Sequence, residues 1–301
     1  MSSEPPPKQE DHWSASAYQT SASFVPKLAT KVLSWLDVQS EDIILDIGCG
    51  DGIIPIQLAA TLAKGSGTIH GIDSSGDMIA AARKGARDAG LEGEDICRFE
   101  VLDASQLSAL PASTFTKIFS NAAMHWILRS ESLRESFFAE VNRILRPGGI
   151  FVFEMGGMGN VAEMRTALLS VVGRRVGMER VREVDPWFFP DEVWMRRVLS
   201  SSGSQSGSGN EDEKEVERSR GDGGWKIEKL EREYRATSAD KGGIEGWVKL
   251  MGKQFFDILG EGEERREAER EVCELLETVC RSPGGGDWIG YVRLRGLVRK
   301  V

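Results

Sequence analysis

The stretch Leu45-Asp46-Ile47-Gly48-Cys49-Gly50-Asp51-Gly52 concentrates the residues best suited to chemistry. An apolar run from Ile43 to Ile47 reads as a buried strand; it ends in a glycine-rich turn, and a helical pattern follows at once. Glycines are needed where a ligand lies against backbone without interference from a Cβ atom. The first strand-to-helix turn of an open parallel sheet lies at the carboxyl ends of the strands, where doubly wound folds bind ligands. A dinucleotide fingerprint would require glycine at position 53, where Ile53 stands, and a phosphate-binding P-loop would end in Gly-Lys-Ser or Gly-Lys-Thr, which is absent. The G-x-G-x-G spacing therefore favours a ligand with no phosphate and disfavours an NAD-dependent oxidoreductase.

Two acids further along support a nucleoside-like ligand. Asp73 closes the next strand-like run about twenty-five residues after Gly48, where a carboxylate accepts hydrogen bonds from both hydroxyls of a ribose. Asp103 closes a third run in Val101-Leu102-Asp103-Ala104, in place to accept from the exocyclic amine of adenine, or to serve as an ordinary turn acid. Each such bond contributes roughly 1.5–3 kcal/mol when partly desolvated. Asn121 ends a fourth run, either facing the ligand or capping a helix. His125 titrates near neutrality when unperturbed and is a candidate general base, though packing or a substrate contact suits it as well. Trp126 beside it reads as a pocket wall or as core.

These residues need elements that hold them together. Strands are expected over 43–47, 68–72, 97–102, 117–120 and 150–154, alternating with helices over 54–63, 77–89 and 133–145. That alternation means right-handed βαβ units and a mainly parallel sheet. Arg146-Pro147-Gly148-Gly149 is expected as a turn. A helical pattern over 13–36 precedes the sheet. Helices over 161–172, 191–199, 244–259 and 263–281, and strands over 225–236 and 288–301, follow it. Residues 1–12 read as a disordered tail and 200–224 as a flexible Ser/Gly-rich and charged insertion within a single domain spanning 13–301. Within that domain, 41–155 is the ligand-binding core, and 156–301 carries the substrate-facing lid and the last strands.

Composition narrows the function. The 301 residues carry 38 Lys and Arg against 47 Asp and Glu, a net charge of −9, which argues against a nucleic-acid partner. No apolar run approaches a membrane span, and the polar, Pro-rich start lacks a signal-peptide core. Four scattered cysteines and three scattered histidines form no disulfide framework and no metal-ligand spacing, so a cytoplasmic setting without metal is expected. Cys49 reads as a small packing residue, and Cys273 and Cys280 share one helical face.

Taken in order, LDIGCGDG, GIDSSGDMI, VLDASQL, FSNAAMHWI and LRPGGIFVFE resemble the class I S-adenosylmethionine-dependent methyltransferases over about residues 43–154. Trp13, Tyr18, Asn121 to Trp126 and Trp247-Val248-Lys249 look like the trans-aconitate methyltransferase group in particular, with the 200–224 insertion and the details of 240–290 departing from it. The resemblance implies a Rossmann-like α/β fold with a seven-stranded, mostly parallel sheet, helices on both faces and a helical lid. It implies cofactor contacts from Asp46, Gly48, Cys49, Gly50, Asp73, Ser74, Met78, Asp103, Ala104, Asn121 and Tyr18, and substrate contacts from Trp126 and Trp13. The implied acceptor is a small molecule, with no obligate protein partner. A carboxylate acceptor is ionised at neutral pH and needs no base, whereas a hydroxyl or carbon acceptor would need one. A carboxylate would want an Arg or Lys from the lid region; Arg165, Arg174 and Arg175 are available. The alternatives are a methyltransferase acting on a hydroxyl, a carbon or a protein, and a regulatory protein that binds the cofactor without catalysis.

Overall fold

The strand-like runs are flanked by turn residues; the central ones bury both faces, while the charged run 225–238 at the sheet edge stays largely exposed. They are β1 (Ile43–Ile47), β2 (Thr68–Asp73), β3 (Cys97–Val101), β4 (Phe115–Asn121), β5 (Leu145–Gly156), β6 (Trp225–Ser238) and β7 (Trp288–Lys300). The computed structural model describes residues 29–91, 96–201, 224–239 and 242–301. There the seven strands form one sheet in the order β3-β2-β1-β4-β5-β7-β6. The first five are parallel, and β7 runs antiparallel to both its neighbours, β5 and β6. The chain steps outward from β1 to β3 and then returns to place β4 on the other side of β1. Helices connected to the two sides therefore diverge, and a crevice opens above the carboxyl ends of β1 and β4.

The helices are α1 (Thr30–Leu36), α2 (Ile53–Leu62), α3 (Gly76–Asp88), α4 (Met124–Ile127), α5 (Leu133–Ile144), α6 (Ala162–Val176), α7 (Met178–Glu183), α8 (Glu192–Ser201), α9 (Gly243–Met251), α10 (Lys253–Asp257) and α11 (Glu263–Cys280). In α3 the residues Met78, Ile79, Ala82 and Ala86 recur at helical spacing and are buried, and Ser75 caps the helix by accepting from the Met78 N–H at 3.1 Å. One face of the sheet packs Phe151 and Phe153 against Phe137 and Phe138 of α5 and Met195 of α8. The opposite face packs Phe119 and Val152 against Val32 and Leu36 of α1. A separate apolar cluster joins α6, α9, α10 and α11 to Ile289 and Tyr291 of β7, forming a helical cap beside the crevice.

Two local expectations are corrected. Arg146 to Gly149 lies inside β5 as a bulge: Leu145 still pairs with Phe115 before the register shifts to Ile150 opposite Lys117, and Gly148 supplies the positive φ of 75°. The helix expected over 244–259 is two, because Gly252 ends α9 and begins α10; a Cβ there would lie 2.6 Å from the Val248 carbonyl. The tail 1–12, the residues Trp13 and Tyr18, and 202–223 of the insertion lie outside the described residues. The ends of that insertion are ordered, since Ser200 and Ser201 finish α8 and the Gly224 carbonyl accepts from Asn142 Nδ2 at 2.7 Å.

Candidate active site

The turn after β1 is shaped by backbone that only glycine adopts readily. Gly48, Gly50 and Gly52 have φ of 75°, 56° and 78°. The N–H groups of Gly48 and Cys49 both donate to the Ile72 carbonyl, at 2.8 and 3.0 Å, which ties the turn to the end of β2. Asp73 then bridges the two turns: its Oδ2 accepts from the Gly50 N–H at 3.0 Å and its Oδ1 from the Ser75 N–H at 2.9 Å. A Cβ on Gly50 would meet nothing within 4 Å, so space stands open against that residue.

A cavity of about 670 Å³ occupies the crevice, within the roughly 300–1,000 Å³ of small-molecule sites. Of the residues expected from the sequence, Gly48, Gly50, Asp73, Ser74, Met78, Asp103, Ala104, Asn121, His125 and Trp126 line it. Asp103 lines the cavity and also makes the turn contact considered for it, accepting from the Ser105 N–H at 2.7 Å. Asp46 and Cys49 are not in the lining. Cys49 packs its thiol beside Gly71, and burial, then the Asp46 and Asp73 charges, raises its pKa well above the usual value. Asp46 lies in β1, 2% exposed, with Oδ1 lacking a hydrogen-bond partner among the described residues. Burial, and then the charge of Asp73, pushes its carboxyl up to about 8.

The other end of the cavity is built on β4, β5 and β7. After Asn121 the chain turns through Ala122, which has φ of 58° and donates its N–H to the Glu154 carbonyl at 2.7 Å, and then enters α4. Val161 has φ of 46°, unusual for a β-branched residue, and it lines the cavity together with Ala122. Asn121 Oδ1 is buried and without a partner among the described residues. His125 is buried, and its Nδ1 accepts the Gly156 N–H at 3.2 Å. Burial, and then the nearby Arg293 guanidinium, lowers its pKa to about 3. The ring is thus neutral at pH 7, with its proton on Nε2.

Several lining residues carried no signal in the sequence. Trp187, Phe189, Asn160, Tyr291 and Arg293 join Trp126 and Trp247 around this end of the cavity. They come from separate loops and from the last strand, which only the sheet order brings together. The alternation of arginines along 288–301 marked a strand but gave no reason to choose Arg293. The lid arginines are not in the lining: Arg165 pairs with Asp185 at 2.6 Å, and Arg174 and Arg175 both pair with Glu271. Gly156 ends β5, and the turn that follows is tied down, with the Gly157 N–H donating to the Val292 carbonyl and the Met158 N–H to the Pro190 carbonyl, each at 2.9 Å.

Known proteins resemble this chain in sequence and in fold. A family model described as a methyltransferase domain matches residues 44–149. An uncharacterised methyltransferase of Schizosaccharomyces pombe is 33% identical over 295 residues, covering 97% of this chain and 99% of its own. Trans-aconitate 2-methyltransferase of Delftia acidovorans is 28% identical over 144 residues, 48% of each chain. Among solved structures, a candidate methyltransferase from Bacillus halodurans superposes with a TM-score of 0.58 at 13% identity, over 91% of this chain and 99% of its own. Phosphoethanolamine N-methyltransferase 2 of Haemonchus contortus, solved with S-adenosylhomocysteine, superposes with a TM-score of 0.51 at 14% identity, over 96% of this chain and 58% of its own. The chain belongs to the S-adenosylmethionine-dependent methyltransferases, enzymes of the Rossmann-like class I fold. The residues present fit that cofactor, with open space against Gly50, the acids Asp73 and Asp103 on the cavity wall, and a buried oxygen on each of Asp46 and Asn121 that has no hydrogen-bond partner among the described residues.

Proposed function

We propose that this enzyme methylates a carboxylate of a small organic acid, giving a methyl ester. Bound S-adenosylmethionine supplies a methyl group on a sulfonium that is already activated for displacement. In this reading Asp73 and Ser74 hold the ribose, Asp103 and Ala104 the adenine, and Met78 packs beside them. Gly48, Gly50 and the backbone of Cys49 face the methionine moiety, Asp46 orients its amino group from beneath the turn, and Asn121 lies near the transferring end. Trp13 and Tyr18, outside the described residues, are proposed to complete the enclosure that excludes water. Alignment of nucleophile and methyl at about 3–3.5 Å supplies several kcal/mol of the barrier.

The observation that carries the choice of acceptor is the state of His125. Its Nδ1 lone pair is taken by the Gly156 N–H, and its pKa is lowered to about 3 by burial and Arg293. A ring in that state donates a hydrogen bond from Nε2 but does not serve as a base near neutrality. An acceptor that arrives without a proton to lose suits such a site, and a carboxylate is one.

A coupled assay that detects S-adenosylhomocysteine, run at saturating cofactor against a panel of small acids, tests this. The rate constant at saturation is expected to stay nearly flat from about pH 6 to 8, and His125→Ala to lower it modestly, about 3- to 30-fold, by loss of one hydrogen bond. A profile rising with an apparent pKa near 6.5 and abolished by His125→Ala would instead favour a hydroxyl or carbon acceptor.

A further inference from the structure

Arg293 is 2% exposed and lines the cavity. A buried guanidinium is costly unless a carboxylate and hydrogen bonds compensate it. The carboxylate near it is Glu154, also 2% exposed, with Oε1 3.7 Å from the Arg293 Nε. Glu154 is committed elsewhere: its Oε2 accepts from the Arg295 Nε at 2.5 Å, and Arg235 approaches its Oε1 at 3.8 Å. Arg295 has further carboxylates in Glu231 and Glu233. Arg293 does not share them, and its Nε has no hydrogen-bond partner among the described residues. Its guanidinium nevertheless has a neighbour that orients it. It stacks over the Tyr291 ring at 4.6 Å, and the Trp247 Nε1–H donates to the Tyr291 hydroxyl at 2.8 Å.

Beside this cation stands an aromatic wall. Trp126 meets Trp187 edge-on at 5.7 Å, Trp187 stacks on Phe189 at 5.9 Å, and Trp247 lies 6.1 Å from Trp187. Arg293 pairs across the sheet with Gly156, the residue whose N–H holds His125, so the guanidinium and the imidazole adjoin. A fixed planar cation matches a carboxylate through two parallel N–H···O bonds, and the aromatic faces suit an apolar body.

We infer that Arg293 is the specificity-determining residue of the acceptor site: it pairs with the anionic group of an amphipathic organic acid whose apolar body lies against Trp126, Trp187, Phe189 and Trp247. This rests on the reading that the acceptor is a small organic acid. It adds the residue that recognises the acid and the kind of body attached to it.

The test uses the full chain saturated with S-adenosylhomocysteine. Tryptophan fluorescence is followed while linear acids from butanoate to decanoate, benzoate and cinnamate are added, each compared with its primary amide. The acids are expected to bind at least 30-fold tighter than the amides, and longer linear acids tighter than shorter ones. Arg293→Gln is expected to remove at least 30-fold of acid affinity, Arg293→Lys to remove less, and neither to change S-adenosylmethionine affinity by calorimetry. If Arg293→Gln does not bind cofactor, Arg293→Lys and the wild-type acid–amide comparison decide. Equal binding of acids and amides, binding of no acid in the panel, or wild-type acid affinity in either variant overturns the inference. Product analysis separates it from the reading beneath it. Methanol released from the product by alkali marks a methyl ester. Acid binding that needs Arg293 with an alkali-stable methyl product would keep the inference and remove the carboxylate as methyl acceptor. Ester formation with no dependence on Arg293 would do the reverse.

Discussion

Asp46, proposed to orient the cofactor's amino group, would couple cofactor binding to pH. Burial and the Asp73 charge push its carboxyl up to about 8, far above an unfolded value near 4. Between those limits the folded, cofactor-free chain holds a proton that the unfolded chain has lost. The unfolded state binds fewer protons there, so this group's stabilising contribution is full below about pH 4 and declines as pH rises to about 8. His125 has the opposite sign, because its folded value of about 3 lies below its unfolded value near 6.5, and its contribution is lost as pH falls through that range. The two are separated by substitution. In thermal melts of the cofactor-free chain, Asp46→Asn is expected to gain on the wild type steadily from pH 5 to 8, while binding S-adenosylmethionine roughly 5- to 150-fold more weakly at pH 8. A stability difference that does not change with pH would show that the carboxyl is not held protonated.

At the level of elements, the proposed cofactor half of the site is shaped where two turns touch. The turn after β1 and the turn after β4 meet where Gly48 faces Ala123, and a Cβ on Gly48 would lie 2.2 Å from the Ala123 Cβ. The φ of 75° at Gly48 adds its own cost to any substitution, about 1–3 kcal/mol for a residue with a side chain. Gly90 gives the control: its φ is 73°, and its Cβ would meet nothing within 4 Å. Both alanine variants are expected to lose stability, but Gly48→Ala alone is expected to weaken cofactor binding, by tenfold or more in calorimetry. Equal cofactor affinity in the two variants would mean that the contact between the turns does not shape the site.

For the whole molecule, the division of labour runs across the sheet. Strands β1 to β4 carry the proposed cofactor residues, and β5, β7 and the cap of α6, α9, α10 and α11 surround the proposed acceptor end. Residues 202–223 are bracketed by α8 and by Gly224, whose carbonyl is tied to Asn142. Loop-closure entropy changes by only about 0.6 kcal/mol when a loop is halved. Shortening 202–223 to half its length is therefore expected to move the melting temperature by about 1–2 °C and to leave turnover intact. A shortened variant that melts normally yet fails to methylate would give the segment a part in the reaction. No helix among the described residues is long and apolar enough to cross a membrane.

The cavity wall proposed to hold the cofactor was legible in the residue order, because it is local: a strand, a glycine turn and an acid at the next strand end are each set by a few consecutive residues. The order LDIGCGDG, Asp73, Asp103 and Asn121 therefore predicted the fold and most of one wall of the cavity. The wall proposed to hold the acceptor is not local. Arg293 joins His125 only because β7 inserts antiparallel between β5 and β6 and sets Arg293 opposite Gly156. The same packing pairs Arg165, Arg174 and Arg175 with acids elsewhere, and so removes the lid arginines that sequence alone could not rank. The protonation of Asp46 and His125 belongs to the same class of fact, since a side chain's pKa follows from what surrounds it in space, and neighbours in sequence do not determine those surroundings.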